Sequence, residues 1–265
     1  MKNFMKAFIF AVQFLTRIPV PSVVEPGEMV ARRSLALFPL VGWLIGGMLY
    51  CLCIIIMLPG RFSPLTVAVF LVTIETLITG AFHLDGLADT FDAFFSTATT
   101  RERKLEIMKD SRIGVMGAVA LMLSLLVKTA LISECLRYDL KAVVAIYPAM
   151  GRLAQVVLYK TSAYVRSGGI GQLFSKAVTP KVVWCAVALV LPSVLLQSPY
   201  LFLAFALFAC FIAYYTHYAR RHIGGITGDV LGSATVLSEI VFLAAFPVGM
   251  FLQWIFLQFI IILTS

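Results

Sequence analysis

Acidic side chains are scarce in this chain: thirteen Asp and Glu against twenty-one Lys and Arg, with charged residues of both signs only 13% of the total. Soluble domains carry about a quarter. That shortfall argues against a soluble domain, and 61% hydrophobic residues with a mean hydropathy of +0.97 point to a polytopic membrane protein instead. Histidines number three, and no Ser/His/Asp or Cys/His arrangement is assembled that would serve a covalent intermediate. The five cysteines (Cys51, Cys53, Cys135, Cys185, Cys210) lie in or beside apolar runs without metal-ligand spacing, which makes them packing residues. No internal repeat, low-complexity tract or soluble domain interrupts the pattern, so residues 1–265 read as one all-α, membrane-embedded helical domain.

Apolar runs of about 20 residues, enough to cross a bilayer, fall near 35–58, 62–82, 113–133, 141–159, 182–198, 199–219, 231–247 and 249–264. The expectation is seven to eight transmembrane helices, with turns at GRFSP (60–64) and QSPY (197–200). Gly42 and Gly46 form a GxxxG, a candidate helix-contact face. The opening MKNFMKAFIFAVQFLTRIP has the basic residues and apolar centre of a signal peptide but no small-x-small cleavage site. It reads as a retained, interfacial amphipathic helix. With the N-terminus placed in the cytoplasm, sixteen lysines and arginines fall on the cytoplasmic side and three (Arg61, Arg137, Lys141) on the other. The positive-inside rule supports that orientation, and it explains the net charge of +8 without nucleic acid.

Six of the thirteen acids lie between 84 and 112. The stretch HLDGLADTFD (83–92) places Asp85, Asp89 and Asp92 at i, i+4 and i+7, one face of a helix expected to continue the second span. Like charges on one stripe need a cation. Mg²⁺ favours carboxylate oxygens and is usually shared with substrate phosphates, and Gly86 would let a bulky ligand approach. The plainer alternative is a solvated ion network with Arg101, Arg103 and Lys104. His83 falls on roughly the opposite helical face, away from the same ion.

A second polar cluster, HYARRHIGGITGDVLG (217–232), gathers Arg220, Arg221, Gly225, Thr227, Gly228 and Asp229 between spans. Thr227 or Asp229 could cap a helix whose N-terminus favours an anion, and Asp229 could add a fourth metal carboxylate. In the third, KDSRIGVMG (109–117), Asp110, Ser111 and Arg112 precede a span; the planar fork of Arg112 suits phosphate. The two long loops 83–112 and 217–232 are thus the expected catalytic loops on the cytoplasmic face. Charged residues inside spans are costly and suggest function: Arg152 needs an anionic partner such as Glu75 or a ligand, and Lys128 and Glu239 raise the same question.

GAFHLDGLADTFDAF, KLEIMKDSRIGVMGAVAL, FLTRIPVP and GGITGDVLGSATVLSE together resemble the cobalamin synthase family, the membrane-bound adenosylcobinamide-GDP ribazoletransferases, from Phe14 to about Glu239. The resemblance implies Mg²⁺-assisted phosphoryl transfer: adenosylcobinamide-GDP and α-ribazole, or its 5′-phosphate, give adenosylcobalamin, or its phosphate, and GMP. It implies Asp85, Asp89, Asp92 and Asp229 as metal carboxylates. Arg112, Arg221 and Lys109 would hold phosphate, with Asp110, Ser111, Gly225, Thr227 and Gly228 in the substrate site. Either an aspartate or His83 accepts the ribose proton, and the sequence does not choose between them. The implied setting is the cell inner membrane, with small-molecule substrates and the lipid bilayer as partners. A homo-oligomer is neither required nor forbidden. The alternative is a cation- or proton-coupled transporter using Glu75, Lys128, Arg152 and Glu239; against it stand the missing repeat and the position of the acids at the membrane mouth.

Overall fold

The computed structural model describes residues 2–20, 24–25, 27–196 and 198–264. Twelve α-helices are present among them: α1 (Lys2–Leu15), α2 (Glu28–Ala36), α3 (Phe38–Met57), α4 (Pro64–Thr79), α5 (Phe82–Phe94), α6 (Arg101–Ile107), α7 (Val115–Arg137), α8 (Val143–Thr161), α9 (Gly169–Ala177), α10 (Pro180–Val190), α11 (Leu201–Ile223) and α12 (Gly228–Thr264). A 3₁₀ turn, Leu191–Leu196, extends α10. There is no strand among the described residues. A single parallel bridge joins Tyr164 to Ile226.

α8 is the hub. Fifteen of its nineteen residues are buried, and α3, α10, α11 and α12 pack around it. The GxxxG face forms as expected: Gly42 and Gly46 bring α3 against the α8 backbone at Ala149 and Ala145. α1 buries Ala7, Phe10, Ala11, Val12 and Leu15 while Phe4 and Met5 stay exposed, the one-sided pattern of an amphipathic helix.

Four helices are long and apolar enough to cross a membrane: α3, α7, α11 and α12 over Gly228–Ile261. Two bent pairs, α4 with α5 (91°) and α9 with α10 (95°), raise the number to six if each is one span. The protein is a polytopic helical membrane protein, but the eight apolar runs do not all become separate spans. Runs 231–247 and 249–264 form one continuous helix, with Pro247 inside it. Run 182–198 shortens into α10 and its 3₁₀ turn. Of the QSPY turn, Gln197 lies outside the described residues. From Phe251 to Ile261 the apolar side chains of α12 are exposed all round, as for a helix bathed in hydrocarbon.

The aspartate stripe does not continue the second span. α4 is capped at its start by Ser63, whose Oγ accepts from Thr66 N at 3.2 Å, and at its end by Gly80 (φ 62°), followed by Ala81 (φ 58°). Two consecutive left-handed residues turn the chain through 91° into α5. Arg17 fastens this corner: its N–H donates to Ile78 O at 2.7 Å, and its side chain lies over Gly80. The expected loops 83–112 and 217–232 are mostly helical, comprising α5, α6, the end of α11 and the first turn of α12. Their actual connectors are 95–100, 108–114 and 224–227.

Candidate active site at the junction of α5 and α12

Three separated stretches of sequence meet where α5 crosses the start of α12. Gly86 makes the crossing close: a Cβ there would stand 2.7 Å from the Asp229 carbonyl oxygen. Thr227 caps α12, accepting from Val230 N at 3.2 Å and lying 3.4 Å from Asp229 Oδ2. The 108–117 segment closes the other side. Its Met108 sulfur lies 3.8 Å from Thr227 Oγ1, and Gly114 and Gly117 both donate to Asp92.

The four carboxylates are not equivalent. Asp92 Oδ2 accepts from Gly114 N and Oδ1 from Gly117 N, each at 2.7 Å. It thereby caps α7 from a different helix, satisfying two N–H groups that have no partner within α7. Asp229 Oδ2 takes an ion pair from Arg166 Nη2 at 2.7 Å. Asp85 is exposed and Asp89 half-buried. No hydrogen bond or ion pair engages either side chain among the described residues. Asp89 lies in the field of Asp85, Asp92 and Asp229, with Arg166 opposing them. No three His, Cys, Asp or Glu side chains stand together as a ready-made metal cage among the described residues.

The solvated ion network does not form. Arg103 pairs with Glu106 at 2.8 Å, Lys104 donates to His222 Nδ1 at 2.7 Å, and Arg101 lies against Gly224. His222 stacks on Phe94 at 4.6 Å, so α6 and α11 brace the end of α5 and leave its aspartates unpaired with them.

The fork of Arg112 is already filled. Nε and Nη2 reach the two oxygens of Asp110 at 3.0 and 2.7 Å, and these hydrogen bonds hold the Asp110 carboxyl down at about 2. Arg112 is almost free of packing, 87% exposed, so phosphate could claim it only by displacing Asp110. Lys109, Ser111 and Arg221 are exposed. Gly225 serves a packing purpose: it lies against the Ala163 backbone, where Ile226 N donates to Ala163 O at 2.8 Å. Gly228 is the first residue of α12, beside the Tyr164 hydroxyl. Burial pushes that hydroxyl above its ordinary range.

Arg166 is the residue that sequence reasoning missed. It had counted only as one more cytoplasmic cation. The parallel bridge of Tyr164 to Ile226 brings it to Asp229, a pairing between positions 63 apart that no local spacing announces. Its Nη2 is on Asp229, while its Nε has no partner among the described residues, so the guanidinium keeps donor capacity.

His83 points the other way. It is 5% exposed, its Nε2 lies 3.4 Å from Gln155 Nε2, and it lines a cavity with Glu75, Lys128, Arg152 and Glu239. Lys128 Nζ reaches Glu75 Oε2 and Glu239 Oε2, each at 2.6 Å. Tyr147 donates to Glu75 at 2.9 Å. Arg152 pairs with Glu239 rather than with the expected Glu75. Two cations meet two acids inside the bundle, which is how buried charges are tolerated.

A family model described as cobalamin-5-phosphate synthase matches residues 7–247. The chain belongs to that family. It is 39% identical over 247 residues to the adenosylcobinamide-GDP ribazoletransferase of Klebsiella pneumoniae (strain 342), covering 91% of this chain and 98% of the relative. The proteins of the same name from Clostridioides difficile (strain 630) and Pseudomonas putida (strain GB-1) are 34% and 35% identical. The matches cover 90% and 93% of this chain, and 96% and 100% of those relatives. No solved structure matches. In this member of the family α5, the 108–117 segment, Arg166 and the α12 cap converge at one corner of the bundle. The closed Glu75–Lys128–Glu239–Arg152 network does not favour a transport path.

Proposed function

We propose that the chain performs the reaction for which its relatives are named, joining adenosylcobinamide-GDP to α-ribazole, or its 5′-phosphate, at the junction of α5 and α12. It is a transferase of cobalamin biosynthesis. The observation that carries the site assignment is the meeting of Asp85, Asp89 and the Arg166–Asp229 pair at one accessible corner of an otherwise apolar protein.

The ribose hydroxyl attacks the phosphorus that bears the corrinoid aminopropanol. One O–P bond forms, the bond to the bridging oxygen breaks, and GMP leaves with the electron pair. One of Asp85 and Asp89 takes the hydroxyl proton. Arg166, held by Asp229, directs its remaining donors at the diphosphate oxygens, where a planar fork suits the charge. Lys109, Arg112 and Arg221, each exposed, add positive charge that attracts the anionic substrate.

The donor set also suits Mg²⁺, which takes one or two carboxylates, keeps several waters and shares substrate phosphates. Asp85 and Asp89 lie one turn apart and unengaged among the described residues; the one that does not take the proton would hold the ion, with Asp92 and Asp229 shaping the field around it. When bound, the ion supplies Lewis-acid neutralisation of the diphosphate charge. The site faces the cytoplasm of the inner membrane in this reading, supported by the basic residues that crowd its side of the bundle.

The test is GMP release by purified, detergent-solubilised protein given adenosylcobinamide-GDP and α-ribazole, with Mg²⁺ or with EDTA. Release that requires both substrates and the metal is the expected result. Folded protein that releases no GMP under either condition sinks the reading.

A further inference from the structure

A groove of about 660 Å³ runs between α8, α10 and α11, on a face of the bundle that the catalytic reading does not use. Its walls are Leu153 and Val157 of α8, Val187 of α10, and Phe208, Ala213 and Thr216 of α11. Phe208 and Arg220 are twelve residues apart on α11, about 18 Å at 1.5 Å per residue. Half the hydrocarbon core of a bilayer is about 15 Å, so the groove is one leaflet deep.

The groove is apolar except towards one end, where Thr161, Thr216 and Arg220 line it. Arg220 is exposed, its Nε donates to Ser162 Oγ at 3.2 Å, and no carboxylate pairs with it among the described residues. One turn deeper, Thr216 is 8% exposed and its hydroxyl has no hydrogen-bond partner among the described residues. An apolar trough one leaflet long, ending in a cation without an acid, complements one kind of molecule. The chain of a phospholipid fills the trough and its phosphate meets the guanidinium, with the ester region at the level of Thr216.

We propose that this groove is a binding site for an anionic phospholipid, with one acyl chain between α8 and α11 and the headgroup phosphate on Arg220. The assignment does not rest on the enzymatic reading, because none of the groove residues belongs to the α5–α12 site.

Native mass spectrometry of the full-length chain in detergent, supplied with equal phosphatidylglycerol and phosphatidylcholine, tests it. The wild type should retain phosphatidylglycerol in about fivefold preference, the factor that one arginine at a membrane surface supplies. Arg220→Gln should remove the preference and Arg220→Lys should keep most of it. Ala213→Phe, filling the exposed floor of the groove, should reduce retention of both lipids; Ala209→Phe stands in if the first variant melts early. Excess glycerol phosphate should leave the bound lipid in place. Unchanged preference in Arg220→Gln overturns the assignment, as does displacement of the lipid by glycerol phosphate. Equal retention of both lipids by the wild type overturns it too.

Discussion

Arg166 Nη2 stands 2.7 Å from Asp229 Oδ2, tying the segment after α8 to the first turn of α12. The pair is only partly exposed, 25% and 19% at the two side chains, so it is neither a rim contact nor a sealed core pair. Arg166→Ala should lower kcat/KM for GMP release by about 10²–10³-fold, the usual effect of removing one preorganised donor. Arg166→Lys should recover a small part, since an ammonium restores charge without the fork. Wild-type turnover in Arg166→Ala would show that the pair merely fastens two segments.

Asp89 and Asp92 belong to one helical stripe but should fail in different ways. Asp89 has no hydrogen-bonded partner among the described residues, so Asp89→Asn should cut turnover by about 100-fold or more while relieving like-charge repulsion, leaving the melting temperature level or slightly higher. Asp85→Asn should behave alike. Asp92 accepts two α7 amides; an asparagine offers one acceptor oxygen, and loss of such a cap costs about 0.5–2 kcal/mol. Thermal melting in detergent, beside GMP release, separates the two classes. EDTA should stop turnover without moving the melting temperature, because no closed cage of ligands among the described residues ties a metal to the fold.

The all-α membrane class was legible because apolar composition and run length are properties of single segments. The three polar motifs were legible for a similar reason: acids, glycines and basic residues stand out against so apolar a background. Corners were not. Helical spacing carried α5 straight on from α4, whereas Gly80 and Ala81 turn it through 91°. The runs 231–247 and 249–264 read as two spans, but one helix carries both, with Pro247 inside it. Partner choice was the other blind spot. Glu239 rather than Glu75 answers Arg152, and Arg166, which was not among the candidate site residues, answers Asp229. Both choices depend on which helices lie side by side, and no local pattern encodes that.

The buried network should matter for stability before it matters for chemistry. Lys128 is held by Glu75 and Glu239 at 2.6 Å each and lies 4.8 Å from the Tyr147 ring centre. Lys128→Met leaves those two acids with Arg152 as their remaining cation and should cost about 3–5 kcal/mol, as when one partner of a buried pair is removed. Combining it with Glu75→Gln restores neutrality and should recover most of the loss. Melting temperatures of both variants, with turnover normalised to folded protein, check this. A transport path would instead require Glu75→Gln alone to abolish function in a protein that melts normally.

Gly86→Ala is the most economical probe of the α5–α12 crossing. The added methyl would meet the Asp229 carbonyl oxygen at 2.7 Å and the Asp229 Cα at 2.9 Å, both backbone atoms that cannot swing aside. The two helices must separate by a few tenths of an ångström or more. Overpacking of this kind costs about 1–3 kcal/mol, which lowers the melting temperature without unfolding the protein. The larger effect should fall on turnover. Asp85 and Asp89 ride on α5 while Asp229 and its Arg166 ride on α12, so separating the helices pulls the carboxylates away from the phosphate donors. A displacement near 1 Å can cost about 10²-fold. KM for adenosylcobinamide-GDP and kcat should both worsen in Gly86→Ala, and Gly86→Ser should be no better, because the clash is made by the Cβ that every other residue carries. Normal kinetics in Gly86→Ala would mean that the reacting groups do not straddle this crossing, and the site would have to be sought on α5 alone.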